Sequence, residues 1–138
     1  MNKTQQPLGH YSTVNAYGAA ESDNGLELIL SLMRGAQDRI ASARGCMERG
    51  EKSAKGEHLG KAIALIDGLR GALNLEAGGD IAGNLEALYD YMNRRLVEAN
   101  AADDVAALDE VTALLSEIRG AWEQVIRQTQ REAAPVQG

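Results

Sequence analysis

Apolar residues recur at intervals of three and four along most of this chain, and this spacing constrains the fold more than any other feature of the sequence. Side chains at that spacing lie on one face of an α-helix. Four successive segments carry such a stripe, so the pattern predicts four amphipathic helices. The predicted inward residues are Ile29, Leu32, Met33, Ala36, Ile40, Ala43 and Met47; Leu59, Ala62, Ile63, Ile66, Leu69 and Leu73; Ile81, Leu85, Leu88, Met92 and Leu96; and Val105, Leu108, Val111, Leu115, Ile118, Trp122 and Val125.

The first predicted helix covers about residues 25–49. Asn24 is placed to accept a hydrogen bond from the first turn while Glu27 reaches back, as in a capping box. The polar segment 50–56 has a glycine at each end and is predicted to connect this helix to the second. Ser53, within that segment, is a candidate cap for the second helix.

Two further turns are predicted. Gly78 and Gly79 tolerate the positive φ angles that commonly follow a helix end, so the second helix is expected to end there. Asp80 is then placed to cap the third helix. Asp103 and Asp104 mark the last turn and the start of the fourth helix, where negative charge complements the helix dipole.

Four helices of roughly 20 residues with short links pack most economically as an antiparallel four-helix bundle. The sequence therefore predicts an all-α fold in which residues 24–131 form one bundle. Residues 1–23 contain proline and glycine without a helical period, and we expect a flexible N-terminal arm. Residues 132–138 lack an apolar stripe and are predicted to be a disordered tail.

The charge and hydropathy of the chain exclude several kinds of partner. A net charge of -6 and a pI near 4.9 repel a phosphate backbone, so no nucleic-acid partner is expected. No apolar run approaches the roughly 18 residues that span a bilayer, so membrane insertion is not expected. The first residues lack the blocks of a secretory signal, and a lone cysteine suits a reducing compartment. These features predict a cytoplasmic location.

The residue types that carry chemistry are not arranged as a site. His10 lies in the predicted arm, and neither it nor His58 belongs to the Glu-x-x-His pair of a di-iron bundle. Cys46 has no histidine placed by a motif to activate it. The glycines at 78 and 79 lack the preceding strand and the following Lys-Ser/Thr of a P-loop. We therefore predict no catalytic residue, no metal site, no cofactor and no enzymatic activity.

Some apolar residues remain after the inward stripes are assigned. They belong either to a broad core stripe or to a second apolar face that accepts helices from a partner. Taken together they favour the second interpretation, and Leu26, Leu30, Leu65 and Tyr91 are the candidate partner-binding residues among them. The full set is Leu26, Leu30, Leu65, Leu75, Tyr91 and Leu114.

Seven glycines fall inside the predicted helices, and each costs roughly 0.5 to 1 kcal/mol relative to alanine. Either they let helix backbones approach closely, or they keep the helices adjustable for a variable partner. Close packing is the prediction for Gly68 and Gly71. The seven are Gly35, Gly45, Gly60, Gly68, Gly71, Gly83 and Gly120.

The stretch from residue 78 to residue 100 resembles a known family almost word for word. It contains Gly78-Gly79-Asp80-Ile81-Ala82, Asn84-Leu85, Leu88-Tyr89-Asp90-Tyr91-Met92, Arg94-Arg95-Leu96 and Ala99-Asn100. This pattern is similar to the FliS family of flagellar export chaperones, and the resemblance extends in order from about Leu8 to Val125.

That resemblance implies a four-helix bundle that holds newly made flagellin in the cytoplasm, covers its C-terminal helical segment and prevents premature polymerisation before type III export. It also implies that the loaded complex is delivered to the export gate protein FlhA. Tyr11 matches the tyrosine of the family's N-terminal arm and Leu8 the apolar residue before it, both linked to flagellin binding. Two other classes stay open from the residues alone: a regulatory adaptor for a transcription or anti-sigma factor, and a cofactor-binding bundle enzyme.

Overall fold

The computed structural model describes residues 23–133, which form four α-helices joined by short turns. The helices are α1 (Asp23–Arg49), α2 (Lys52–Gly71), α3 (Leu75–Ala102) and α4 (Val105–Ala133). The predicted all-α fold is confirmed. The predicted arm lies outside the described residues except for Asp23, which is helical. The predicted tail also lies outside them, except for residues 132 and 133, which continue α4.

The four helices are arranged as a square in which each contacts two neighbours. Among the described residues, α1 packs against α2 and α4, and α3 packs against the same two helices. Links of two or three residues make sequential helices antiparallel. The α1/α4 seam, meaning their line of contact, is also antiparallel, because Arg34 pairs with Glu123 while Arg44 pairs with Asp109. The α1/α2 seam and the α3/α4 seam therefore lie on opposite sides of the bundle.

The core is mainly aliphatic, with one tryptophan and one tyrosine as its largest members. Trp122 and Tyr89 are completely buried. The Trp122 indole Nε1 donates to the carbonyl oxygen of Leu26 at 3.0 Å, which ties α4 to the start of α1. Other fully buried core residues are Ile29, Met33, Ile40, Leu59, Ile66, Leu69, Met92, Leu96 and Leu108.

The first half of the third helix departs from its predicted stripe, whereas Met92 and Leu96 are completely buried as predicted. Ile81, Leu85 and Leu88 are only partly buried and pack at the margin of the core. The fully buried positions of α3 include Tyr89, which the sequence analysis did not place inward. Tyr89 buries a large aromatic surface, and an aromatic side chain contributes more burial than a leucine at the margin. Burial of this one ring is consistent with the shift of the stripe in the first half of the helix.

The predicted end of the second helix is wrong. The chain leaves α2 at Gly71, and α3 begins at Leu75 with Asn74 as its cap; Asn74 Oδ1 accepts from the backbone N–H of Ala77 at 3.0 Å. The glycine pair interrupts α3 instead of ending α2, because Gly79 has φ 53° and ψ -133°. Because Asn74 caps α3, this helix has already begun before the chain reaches Gly78 and Gly79.

The start of the second helix also differs from its prediction. Glu51 is the cap residue, although its side chain accepts no hydrogen bond from the first turn, and α2 begins at Lys52. The backbone N–H of Lys55 donates to the Glu51 carbonyl at 3.0 Å, which closes the first turn. Ser53 is therefore inside the helix and does not cap it.

The turn between α3 and α4 forms where it was predicted. Asp103 adopts the left-handed conformation with φ 51° and ψ 46°, and Asp104 Oδ1 accepts from the backbone N–H of Ala107 at 3.2 Å. The buried Lys55 reaches this turn from α2. Its Nζ donates to the carbonyl of Asn100 at 2.8 Å and to Asp103 Oδ1 at 2.5 Å. One lysine thus fastens two turns of the bundle together.

Glycine allows a close approach of α1 and α2 at Gly35, whereas Gly68 lies at ordinary contact distance from a leucine of α1. A Cβ atom at Gly35 would lie 3.3 Å from Leu65 Cδ1, and one at Gly68 would lie 3.7 Å from the methyl groups of Leu32. Each leucine thus covers a glycine of the opposite helix. The close-packing prediction for Gly71 is wrong, because a Cβ there would meet nothing within 4 Å.

Candidate partner-binding surface

The six candidate partner-binding residues do not form one exposed patch. Leu8 and Tyr11 lie outside the described residues. Leu26 and Leu30 are buried in the core at the start of α1, where the Leu26 carbonyl also accepts the Trp122 hydrogen bond. Leu26 and Leu30 are therefore not apolar surface left over by the core. The start of α1 buries a wider apolar stripe where it meets Trp122.

Leu65 and Tyr91 are more accessible but lie far apart around the bundle. Leu65 is partly buried at the α1/α2 seam, over Gly35. Tyr91 is partly exposed at the α3/α4 seam, where its hydroxyl donates to Glu110. Because these seams are on opposite sides, only a partner that reaches around the bundle contacts both residues.

The large apolar side chains that are most exposed within residues 25–128 are three others. Leu28 is 54% exposed, Leu75 is 48% exposed and Val97 is 59% exposed. Leu28 and Leu75 lie at the same end of the bundle, because α1 and α3 both begin there; we call it the upper end. Val97 lies towards the opposite end of α3. Leu28 and Val97 were missed as candidates, although both fall outside their helix's predicted stripe.

Polar contacts bridge the α1/α4 seam along its exposed edge. Gln37 Nε2 donates to Ser116 Oγ at 2.9 Å, and Arg44 Nε donates to Asp109 Oδ1 at 2.9 Å. The hydrogen bond from Arg44 holds the pKa of Asp109 below its ordinary value. The α1/α2 seam is different, because leucines pack over glycines there. In the described residues, the polar side-chain contact across this seam is the one between Arg39 and His58.

A second polar cluster bridges α3 and α4. Glu110 accepts from the Tyr91 hydroxyl at 2.6 Å and from Arg95 Nε at 2.8 Å, and the Arg94 guanidinium lies 5.8 Å from the Tyr91 ring centre. The hydrogen bonds from Tyr91 and Arg95 lower the pKa of Glu110, and the bond to Glu110 raises the pKa of Tyr91. Both shifts move titration away from neutral pH. The cluster is suited to fixing charge and side-chain position and not to exchanging a proton.

The described part of the chain gathers no set of side chains suited to a metal ion. His58 Nδ1 faces Arg39 Nη1 at 3.2 Å and accepts a hydrogen bond from it, because a guanidinium only donates. Cys46 is buried near the end of α1. Within residues 23–133, no helix contains an apolar stretch long enough to cross a bilayer.

These features define a class: an all-α four-helix bundle with paired charges along its seams and apolar side chains displayed at its upper end. Comparison with known proteins gives the family. The family model for the flagellar protein FliS matches residues 8–129 of this chain. The flagellar secretion chaperone FliSB of Pseudomonas aeruginosa is 48% identical over 118 residues, which is 86% of this chain and 94% of that protein.

Other relatives agree. The flagellar secretion chaperone FliS of Salmonella typhimurium is 47% identical over 123 residues, covering 88% of this chain and 91% of that protein. The Bacillus subtilis protein of the same name is 35% identical over 106 residues, covering 77% and 78%. The chain belongs to the FliS family, which is a family of non-enzymatic flagellar secretion chaperones. The comparisons do not favour a regulatory adaptor.

Proposed function

We propose that this protein is a cytoplasmic chaperone that binds the C-terminal helical segment of flagellin, prevents its premature polymerisation and delivers it for type III export. The observation that carries the proposal is the family match across residues 8–129. The names of the relatives support the role in flagellar secretion. A bundle that displays leucines beside fixed charges is suited to an amphipathic helix, which buries its apolar face against such a surface.

The upper end is the proposed centre of the binding surface. Leu28 and Leu75 are exposed there, and Leu26 and Leu30 lie buried at the same end. Leu26 and Leu30 can contact flagellin only if the first turns of α1 move. Leu65 and Tyr91 are proposed as outlying contacts, which requires the segment to pass around the bundle.

Leu8 and Tyr11 are proposed to bind flagellin from the N-terminal arm. The test is isothermal titration with a peptide from the C-terminal end of flagellin from the same organism. Tyr11→Ala is expected to weaken binding roughly tenfold, as for an aromatic contact near the centre of an interface. Tyr17→Ala is the matched control, since it removes another tyrosine of residues 1–23 and should leave binding nearly unchanged.

Two variants that replace an exposed apolar side chain with serine locate the surface on the bundle. Leu28→Ser is expected to weaken binding roughly fivefold, because it removes apolar area at the upper end. Val97→Ser removes a side chain of similar exposure near the opposite end and should change affinity less. Equal losses would contradict the upper end as the centre. Failure of every flagellin form to bind the wild-type protein would refute the proposed function.

Delivery is proposed to involve the cytoplasmic domain of FlhA. The loaded chaperone should retain that domain on an affinity column, and the chaperone without flagellin should retain much less. Flagellin lacking its C-terminal segment should fail to support the interaction. Equal retention by the empty and loaded protein would contradict delivery of a loaded complex.

A further inference from the structure

The first three turns of α3 are weakly anchored in the bundle. Between Leu75 and Glu86, Ala82 is the buried residue, whereas the remainder of α3 buries larger side chains such as Tyr89 and Met92. Small and marginal contacts contribute less burial free energy than full burial of a large side chain. This part of the helix is therefore held by fewer apolar contacts than the part that follows it.

Glycine weakens the same turns further. Gly78 and Gly83 are helical residues within them, and a glycine in a helix costs about 1 kcal/mol relative to alanine. A Cβ at Gly83 would meet nothing within 4 Å, so packing does not require glycine there. These turns combine low burial with low helix propensity.

Gly79 also breaks the helix. Its φ of 53° and ψ of -133° are not helical, so the backbone can bend at this residue without disrupting a continuous hydrogen-bond ladder. The turn before the break is closed locally, because Asn74 accepts from Ala77 through its side chain at 3.0 Å and from Gly78 through its carbonyl at 2.8 Å. Local caps, more than burial, hold this turn.

The segment lies at the level of Trp122 along the bundle. Tyr91 and Arg95 both reach Glu110, which fixes the antiparallel register of α3 and α4. Moving the same distance along both helices brings Trp122 level with residues 79–83. Ala82 is completely buried at this level.

We propose that residues 75–86 act as a lid that unfolds locally, starting at the helix break at Gly79, and uncovers the level of the core that holds Trp122 while the rest of the bundle stays folded. Local opening of a weakly buried segment requires less free energy than global unfolding. The proposal concerns the free protein, so it does not depend on flagellin being the partner.

Hydrogen exchange of the free wild-type protein tests the lid. Amides of residues 80–86 are expected to exchange at least roughly tenfold faster than those of residues 92–99, with little dependence on low urea concentrations. Opening of a small segment exposes little surface, which is why urea should have little effect. Exchange of residues 80–86 at the same rate and with the same urea dependence as residues 92–99 would overturn the proposal.

A pair of matched variants locates the opening. Gly83→Ala should slow exchange of residues 80–86 about three- to fivefold, which corresponds to the gain in helix propensity. Gly60→Ala is the control, because it adds the same methyl group in open space on α2. It should leave exchange of residues 80–86 unchanged. Equal slowing by both variants, or no slowing by Gly83→Ala, would show that these residues do not open as a separate unit.

Discussion

Lys55 is the charged residue that is buried among the described residues, and replacing it with methionine would remove its charge. Its ammonium group donates to the Asn100 carbonyl at 2.8 Å and to Asp103 at 2.5 Å, and so holds the α3–α4 turn against the start of α2. Methionine keeps an unbranched apolar stem of similar length. The Lys55→Met variant therefore tests the ammonium group with little change in packing.

The expected loss follows from opposing contributions. Hydrogen bonds that involve a charged group contribute about 1.5–3 kcal/mol, and the part-buried Asn100 carbonyl also loses its donor. Relief of lysine desolvation offsets part of this loss. Water can replace the ammonium at Asp103, whose side chain is 53% exposed. We expect the free energy of unfolding to fall by about 2 kcal/mol and the melting temperature by roughly 6 °C.

The assay is urea and thermal denaturation followed by circular dichroism near neutral pH. Lys61→Met is the matched control: Lys61 is exposed, with its Nζ 3.5 Å from Glu57, and an exposed pair of this kind is worth under about 0.5 kcal/mol. If Lys55→Met were no more destabilising than Lys61→Met, the ammonium group would not fasten the turn as described.

The same variant has a defined pH dependence. The hydrogen bond from Lys55 lowers the pKa of Asp103 in the folded protein. A carboxyl with a lowered folded pKa contributes stability above its unfolded pKa of about 4, and the contribution is lost as the pH falls through the folded value. The stability difference between wild type and Lys55→Met should therefore narrow below about pH 4. A difference that widened on acidification would contradict this linkage.

Two further predictions concern the core and the α1/α2 seam. Trp122→Phe should lower the free energy of unfolding by about 2 kcal/mol in urea denaturation, because the buried Leu26 carbonyl loses its donor; unchanged stability would mean that this bond is dispensable. Gly35→Val should lower the melting temperature, since Leu65 already lies 3.3 Å from the position of a Cβ, and overpacking costs about 1–3 kcal/mol. Gly71→Ala adds its methyl group in open space, and a loss as large as that of Gly35→Val would contradict the steric explanation.

Several features of this protein were determined by local sequence. The three-and-four spacing predicted four helices and most of the inward residues of α1 and α4, because one face of each helix has to be buried wherever it packs. Asp103 and Asp104 marked the last turn correctly, since a cap acts on the N–H groups of its own helix. The quoted residues also carried enough of the family pattern to identify FliS.

Other features were decided only by tertiary structure. Leu26 is buried at the place where Trp122, distant in sequence, packs and donates to its carbonyl. Gly35, and not Gly71, lies under a leucine because antiparallel packing brings Leu65 to that position. A helical period shows that a face is apolar, but it contains no information about which neighbour covers that face or at what register. The accessible binding surface depends on which neighbour covers each face and at what register, so it could not be predicted from the stripes alone.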